Sequence, residues 1–544
     1  VKIAIAQLNY HIGNFEANTQ KIISTAKSAH QNGAELTVFA ELAVSGYPPR
    51  DFLEFDDFIQ KCEAQIDLIA DACFEIPMIL GSPVRNTTKK GKPLFNAAVF
   101  LYQGQKEYFR KGLLPDYDVF DEYRYFEPAD TFQCLSFKDL KIAVTVCEDL
   151  WNVEDHPLYV KQPMEDLILE KPDLIINIAA SPFDYEQAEK RETVLRKNVD
   201  RYRLPVVYVN HVGAQTELLF DGGSMVMDKN GTLISRLKFF DEEVQIVDVG
   251  IQHASSQLSV SPLPEKIERI HDALVMGVRN YFQKLGFQKA VLGLSGGIDS
   301  AVTMVLAARA LGCENVHAVL MPSQFSSDHS VQDALDLAKN LGSTFQTIPI
   351  EEVYGSFEHA LQEAFTGKAF DVTEENIQAR IRGVLLMALS NKFGMILLNT
   401  SNKSEAAVGY GTLYGDMNGG LSVLGDVYKT EVFDLARFIN RNEEIIPENT
   451  IIKPPSAELR PDQKDSDSLP DYAILDKILF AYIEQRMGPE AIAKQGIDPQ
   501  IVARVLRLVN LNEYKRHQSP PILRVSAKAF GMGRRMPIVA KYLS

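Results

Sequence analysis

Three residues in the first half of this 544-residue chain follow stretches that read as β-strands: Glu41 ends LTVFAEL, Lys111 ends KEYFRKG and Cys147 ends KIAVTVCED. Strand ends on one edge of a sheet can converge on a single site. A cysteine attacks a carboxamide efficiently only as its thiolate, so it needs a base for its proton and a cation that favours its charge. Glu41 and Lys111 are of those two types. Taken singly, Cys147 reads equally as a buried, inert strand cysteine, because free cysteine is among the most buried residue types. The second half carries different chemistry. AVLGL-SGGIDS-AVTMVLAARAL reads as strand, glycine turn and helix, which puts Ser295, Gly296, Gly297, Asp299 and Ser300 where backbone N–H groups meet a helix N-terminus. An anion belongs there. The loop lacks the Gly-Lys-Ser/Thr ending of a Walker loop, so γ-phosphoryl transfer is not its natural chemistry. A glycine turn made only for close packing is the plainer alternative.

The elements that must position these residues differ between the halves. The first alternates short β-branched runs with amphipathic stretches: KIAIAQLNY, a helix over 17–32, LTVFAEL, a helix over 58–73, then MILGSPV, AAVFLY, KIAVTVCED, LIINIAA, PVVYVNHV and GGSMVMD. Many strands with few helices predict a layered α/β sandwich. The pattern lapses in GIQHASSQLSVSPLP, so we expect a first domain over 1–250, a linker over 251–264 and a second domain over 265–544. There Ile267, Ile270, Leu274, Val278, Phe282 and Leu285 recur at helical spacing, and AVLGL, HAVLMP, FQTIPI and MILLNT follow as strands separated by helix-length segments. That pattern predicts a doubly wound parallel sheet. The polar stretch SAELRPDQKDSDSLPDY is expected as a mobile loop.

Composition excludes several classes. Lys and Arg number 56 against 72 Asp and Glu, a net charge of −16, so nonspecific attraction to nucleic acid or anionic membrane is not expected. No apolar run approaches the roughly 18 residues that cross a bilayer, and VKIAIAQLNY reads as a core strand without a leader's features; a cytoplasmic protein is expected. Cys62, Cys73, Cys134, Cys147 and Cys313 form no Cys-x-x-Cys pair and have no zinc-type histidine spacing, so neither a disulfide frame nor a structural metal is indicated.

ELAVSGYPPRDF, KGLLPDYDVFDE and CEDLWN resemble the nitrilase, or carbon–nitrogen hydrolase, superfamily. The resemblance spans the first domain and implies an α-β-β-α sandwich. It makes Glu41 the general base, Cys147 the nucleophile that forms a glutamyl thioester, and Lys111 a stabiliser of the oxyanion. It also places Tyr117 and Glu122 along a glutamine pocket, with Tyr47 nearby. ASPFDYEQAEKRETVLR matches the glutamine-binding stretch at Ser181 and Arg191, whereas Gln187 stands where the superfamily carries a basic residue.

SGGIDS resembles the signature of the ATP-pyrophosphatases, which cleave between the α- and β-phosphates and adenylate a substrate oxygen. HAVLMPSQFSS, ENIQARIRG and LLNTSNKSEAAVGYGTLYGDMNGGLSVLGDVYKTEVFDLA resemble the NAD synthetase family across nearly all of the second half. Those enzymes adenylate the nicotinate carboxylate of deamido-NAD and displace AMP with ammonia. The resemblance implies a Rossmann-like, adenine nucleotide alpha hydrolase-like domain. ATP would contact Gly293, Leu294, Ser295, Gly296, Gly297, Ile298, Asp299, Ser300, Thr400 and Lys429. Glu405 and Asp299 would hold Mg²⁺, with Glu405 near the nicotinate. Asn376, Arg380 and Lys515 would bind deamido-NAD, Lys515 across a subunit interface, and the loop carrying Ser456 and Lys464 would close over the site and exclude water. Together the two resemblances imply a ligase that takes ammonia from L-glutamine, and a homo-oligomer paired through the synthetase domains. Two alternatives stay open: an ATP-pyrophosphatase amidotransferase for a different acid, and an amidase with a regulatory second half.

Overall fold

The structure, a computed structural model, describes every residue except 89, 155, 250–258, 462 and 544. Residues 251–258 of the expected linker therefore lie outside the described residues, and Ser259–Val260 is a short strand parallel to Leu233–Arg236. The chain divides into two compact units, Val1–Pro264 and Glu265–Ser544.

The first unit is a four-layer α-β-β-α sandwich. One sheet orders its strands Glu243–Asp248, Lys2–Gln7, Leu36–Phe39, Met78–Arg85, Leu94–Tyr102 and Gln105–Arg110. The other runs Ser259–Val260, Leu233–Arg236, Met225–Met227, Val206–Asn210, Leu174–Ala179, Leu140–Val146 and Leu135–Phe137. Alternation along each strand builds the layers. Ile3, Ile5, Val38 and Ile79 enter the core between the sheets with Val144, Val146, Ile176 and Val207. Their neighbours Ala6, Phe39, Met78 and Leu80 face outward against Ile22, Ile59 and Ile66 of helices Phe15–Gln31 and Asp56–Ala72. Helix Gln187–Tyr202 covers the second sheet through Leu195 and Val199. The edge strand Glu243–Asp248, antiparallel to Lys2–Gln7, was not among the expected strands.

In the second unit all five strands are parallel, ordered Thr344–Thr347, Val316–Leu320, Ala290–Gly293, Ile396–Asn399 and Leu421–Ser422. Strand order reverses between Ala290–Gly293 and Ile396–Asn399, so the ligand crevice of such a sheet lies beyond the carboxyl ends of those two strands. Val291, Val319 and Leu397 pack against helix Val372–Phe393 through Ile377, Ile381 and Leu386. Helices Lys266–Leu285, Ile298–Leu311 and Lys429–Ile439 pack on one another. Beyond the sheet, helices Tyr472–Ile483 and Pro499–Leu511 build a separate apolar cluster against Ala407 and Val408. Among the described residues no helix is long and apolar enough to cross a membrane.

Candidate active sites

In the first unit Lys111 is wholly buried and sits directly after strand Gln105–Arg110. Its Nζ donates to Glu41 Oε1 at 2.7 Å and to Glu122 Oε1 and Oε2 at 2.9 and 2.7 Å. Burial alone would push this lysine down, but Glu122 and Glu41 outweigh it and hold the ammonium well above its ordinary value. Glu41 is seated by backbone contact: a Cβ on Gly81 would fall 2.1 Å from Leu42 N and 2.6 Å from Glu41 Cα, so only glycine lets the neighbouring strand approach so closely. The Ala180 N–H reaches Glu41 Oε2 at 2.9 Å, and Asn96 Nδ2 reaches Oε1 at 2.7 Å.

Cys147 is buried and opens a single 3₁₀ turn right after strand Leu140–Val146, at φ 44°. That left-handed conformation is costly for a side chain and clusters at functional sites. Asp149 fixes the turn by accepting Val146 N–H at 3.0 Å and the Gly112 and Leu113 N–H groups at 2.9 Å each, which ties the cysteine turn to the residues after Lys111. Burial first and the Glu41 charge second push the Cys147 thiol well up, while Lys111 pulls it the other way. The resting sulfur is therefore a thiol, and its proton must leave during attack. The lysine does not supply a ready thiolate, because its charge is already shared between two carboxylates.

Glu122, expected along the glutamine pocket, is Lys111's second carboxylate, and Tyr47 donates to its Oε1 at 2.9 Å. Tyr117 is 40% exposed and donates to Glu148 Oε1 at 2.9 Å, where Tyr159 also donates at 3.1 Å. Ser181 directly follows Ala180, and its hydroxyl accepts from Gln187 Nε2 at 3.3 Å. Arg191 differs from expectation, since its guanidinium fork is filled by Asp221, with Nη1 to Oδ1 at 2.7 Å and Nη2 to Oδ2. Buried against that carboxylate it is a structural pair. Asn96, Glu148 and Tyr159 were not singled out from sequence. Asn96 left a signal, an amide inside the apolar strand PLFNAAVFLY, and so did Gly81, a lone glycine inside MILGSPV.

In the second unit the SGGIDS loop joins strand Ala290–Gly293 to helix Ile298–Leu311. Gly296 has φ 82°, and a Cβ there would lie 2.1 Å from Ser330 O, so conformation and space both demand glycine. Gly297 N–H donates to Ser295 Oγ at 3.2 Å, and Ser300 Oγ to Gly297 O at 3.0 Å. Thr400 follows strand Ile396–Asn399 on the other side of the switch point. Lys429 joins the two sides: Nζ donates to Asp299 Oδ2 at 2.5 Å and to Glu405 Oε1 at 3.2 Å. Asn402 Nδ2 donates to Asp299 Oδ1 at 2.8 Å and its Oδ1 caps Glu405 N–H at 3.0 Å. Burial pushes Glu405 up to about 8, against the pull of Lys429 and with the help of Asp299. Asp465, missed in the polar stretch, adds a third carboxylate near Lys429 and accepts from Tyr472 and Tyr410 hydroxyls at 2.9 and 3.2 Å.

Described residues of the stretch expected as a mobile loop bond to one another and to Ser327 and Ser330. Glu458 accepts Ser327 N–H at 3.2 Å and the Ser327 and Ser330 hydroxyls at 2.7 and 2.8 Å. Ser456 Oγ donates to Gln463 O at 2.5 Å, and Lys464 N–H to Asp467 Oδ2 at 3.1 Å. Asn376, Arg380 and Lys515 converge on one segment. Asn376 Oδ1 accepts from Thr412 Oγ1 at 2.6 Å, Arg380 Nε donates to Leu413 O at 3.2 Å, and Lys515 Nζ donates to Gly409 O and Gly411 O at 2.8 Å each. Among the described residues no group of three or more His, Cys, Asp or Glu side chains is arranged to hold a metal by itself. Asp299 and Glu405 nevertheless fit Mg²⁺, which needs only one or two carboxylates beside substrate phosphates and water, because two carboxylates here share one lysine.

A sandwich with a cysteine, an acid and a lysine at strand ends has the architecture of an amide hydrolase, and the parallel sheet with its glycine loop that of a nucleotide-binding enzyme. Residues 2–256 match the carbon-nitrogen hydrolase family and residues 270–519 the NAD synthase family. The glutamine-dependent NAD(+) synthetase of Synechocystis sp. is 45% identical, with 99% of each chain covered. That of Thermotoga maritima is 41% identical over 100% of this chain and 99% of its own. The solved structure of glutamine-dependent NAD+ synthetase from Acinetobacter baumannii, in complex with ADP, superposes with a TM-score of 0.77 at 39% identity, covering 99% of this chain and 98% of that one. The chain belongs to the glutamine-dependent NAD(+) synthetase family, whose members are ATP-consuming ligases.

Proposed function

We propose that this chain hydrolyses L-glutamine at Cys147 and uses the ammonia to amidate the adenylated nicotinate of deamido-NAD. The observation that carries this reading is the presence, in one chain, of a buried cysteine beside an acid–lysine cluster and of a glycine loop at a helix N-terminus beside a second one. Cys147 Sγ attacks the side-chain amide carbon of glutamine as its proton passes to Glu41. All three Lys111 hydrogens face carboxylates, so this lysine stabilises the tetrahedral oxyanion through its charge. Glu41 returns the proton to the departing nitrogen, ammonia leaves, and a thioester remains. Water, deprotonated by Glu41, then attacks the thioester carbon, and the proton returns to sulfur as glutamate departs. Ser181 and Gln187, beside Glu41's partner Ala180, offer neutral donors to the substrate's polar end.

In the second unit a nicotinate carboxylate oxygen attacks the α-phosphorus of ATP and pyrophosphate leaves. Ammonia attacks the acyl carbon, AMP departs, and the added nitrogen loses a proton. The N–H groups of 295–300 hold phosphate oxygens, and Asn376, Arg380 and Lys515 hold deamido-NAD against 409–413. Asp299 and Glu405 would hold Mg²⁺, which when bound neutralises charge on the departing pyrophosphate. Lys429 adds its own positive charge, and the strap carrying Ser456 and Lys464 excludes water that would compete with ammonia.

The test is Cys147→Ala, assayed with each nitrogen donor. Glutamine-driven NAD formation should fall by about 10³-fold or more while ammonia-driven formation persists. Equal failure with both donors would overturn the division of labour. Xanthosine monophosphate in place of deamido-NAD tests a different acceptor, and AMP release with it but not with deamido-NAD would refute the assigned substrate.

A further inference from the structure

Asn96 lies within strand Leu94–Tyr102, almost wholly buried, and touches Lys111 and both carboxylates that clamp it. Its backbone carbonyl accepts Lys111 N–H at 2.8 Å. Its side-chain Nδ2 donates to Glu41 Oε1 at 2.7 Å and to Glu122 Oε2 at 3.3 Å, while its Oδ1 has no partner. That assignment of the amide is forced, because the flipped form would set a carbonyl oxygen against two carboxylates.

A carboxylate offers about four lone-pair positions, two on each oxygen. Glu122 Oε1 receives Lys111 and Tyr47, and its Oε2 receives Lys111 and Asn96, which fills all four. Glu41 Oε1 receives Lys111 and Asn96 and is also full. Glu41 Oε2 receives only Ala180 N–H, so among the described residues one acceptor position is left on the two carboxylates together, and it is on that oxygen.

We infer that Asn96 is a positioning residue of the glutaminase: by closing Glu41 Oε1 and Glu122 Oε2 with its two N–H groups, it leaves Glu41 Oε2 as the one open position on the two carboxylates that clamp Lys111, and so as the clamp's acceptor of the Cys147 proton. The inference rests on the glutamine-hydrolysing function proposed above and adds which oxygen works and what selects it. Without the amide, Glu122 Oε2 and Glu41 Oε1 each regain a lone pair. The thiol proton can then settle on a carboxylate that does not face the departing nitrogen, and the same proton must be returned to that nitrogen for ammonia to leave.

The experiment compares the full-length wild type with Asn96→Leu, which has the same branching of heavy atoms but cannot donate, and Asn96→Asp, which adds a third carboxylate. Glutamate release is followed across pH, with ammonia-driven NAD formation and the thermal midpoint measured in parallel. In Asn96→Leu, kcat for glutamate release should fall about 10- to 100-fold with little change in KM. Its acid limb should move to higher pH, because a carboxylate that loses an N–H donor holds its proton more tightly. Asn96→Asp should move the limb further the same way. Ammonia-driven formation should stay at the wild-type rate. An unchanged kcat and acid limb in Asn96→Leu would overturn the inference. So would a fall in kcat with the acid limb unmoved, which is the mark of a merely structural role. A wild type that releases no glutamate would instead overturn the proposed function, and the two failures are thereby told apart.

Discussion

Lys111 in the first unit and Lys429 in the second are each clamped by two carboxylates, yet the clamps differ in their access to water. Around Lys111 the side chains of Glu41 and Glu122 are 0 and 6% exposed, whereas around Lys429 those of Asp299 and Glu405 are 17 and 16% exposed. A third lysine sharpens the contrast. Lys403 lies between Asp426 and Glu484 at 3.0 and 2.9 Å, as dry as the first clamp, with the Tyr428 ring 4.6 Å away and Ser526 Oγ at 2.7 Å. Among the described residues its Nζ bonds neither to a sulfur nor to the loop 295–300. The clamp itself is therefore not the signature of catalysis. A dry clamp beside a thiol can move a proton, a clamp that water reaches in part, beside a glycine loop, can receive phosphate and cation, and a dry clamp alone holds helices together.

Removing each lysine should separate these roles. Lys403→Met and Lys111→Met each strand two buried carboxylates and should cost about 3 to 5 kcal/mol in urea unfolding. Lys429→Met, with partners that water reaches in part, should cost less, about 1 to 3 kcal/mol, but reduce ATP-dependent amidation about 100-fold or more. Equal destabilisation by Lys429→Met and Lys403→Met would break the comparison. Gly296→Ala should lower amidation about tenfold or more through backbone strain, with glutamate release untouched, and loss of both activities would mean the phosphate loop also supports the first unit.

The dryness of the first clamp is tested through its thiol. Because burial and then Glu41 raise the Cys147 thiol, its thiolate fraction near neutrality lies below that of a free cysteine, and alkylation by iodoacetamide should climb from about pH 7 to about pH 9. Glu41→Gln removes one raising charge, so peptide-resolved alkylation of Cys147 should quicken about two- to fivefold at about pH 8 although glutamate release is lost. A preformed thiolate would instead react at a rate independent of pH over that range. The smallest effect is expected from Tyr47→Phe, which takes one donor from Glu122 and should cost about 1 kcal/mol in unfolding.

Many residues of the candidate sites could be named before any fold was known, for one reason: the proposed catalytic side chains sit where strands end, and strand ends leave a pattern. KIAVTVCED and LTVFAEL announce their last residues, and SGGIDS sits between a strand and a helix. Alternation of apolar residues likewise predicted the sandwich and the parallel sheet. Four edge elements escaped: EVQIVD is partly exposed and mixes charge with apolar residues, and Leu135–Phe137, Ser259–Val260 and Leu421–Ser422 are two or three residues long, too short for any period to register.

Sequence by itself determined the residue types, their order and the two architectures, because these rest on local periodicity and on contiguous motifs. Only tertiary structure decided who partners whom. It gave Lys111 a second carboxylate in Glu122, filled Arg191 with Asp221, bonded Lys515 to carbonyls of its own chain, and set Asn96 between two acids. Each of these depends on lone pairs and burial shared among residues distant in the chain, a kind of satisfaction that has no spacing to be read.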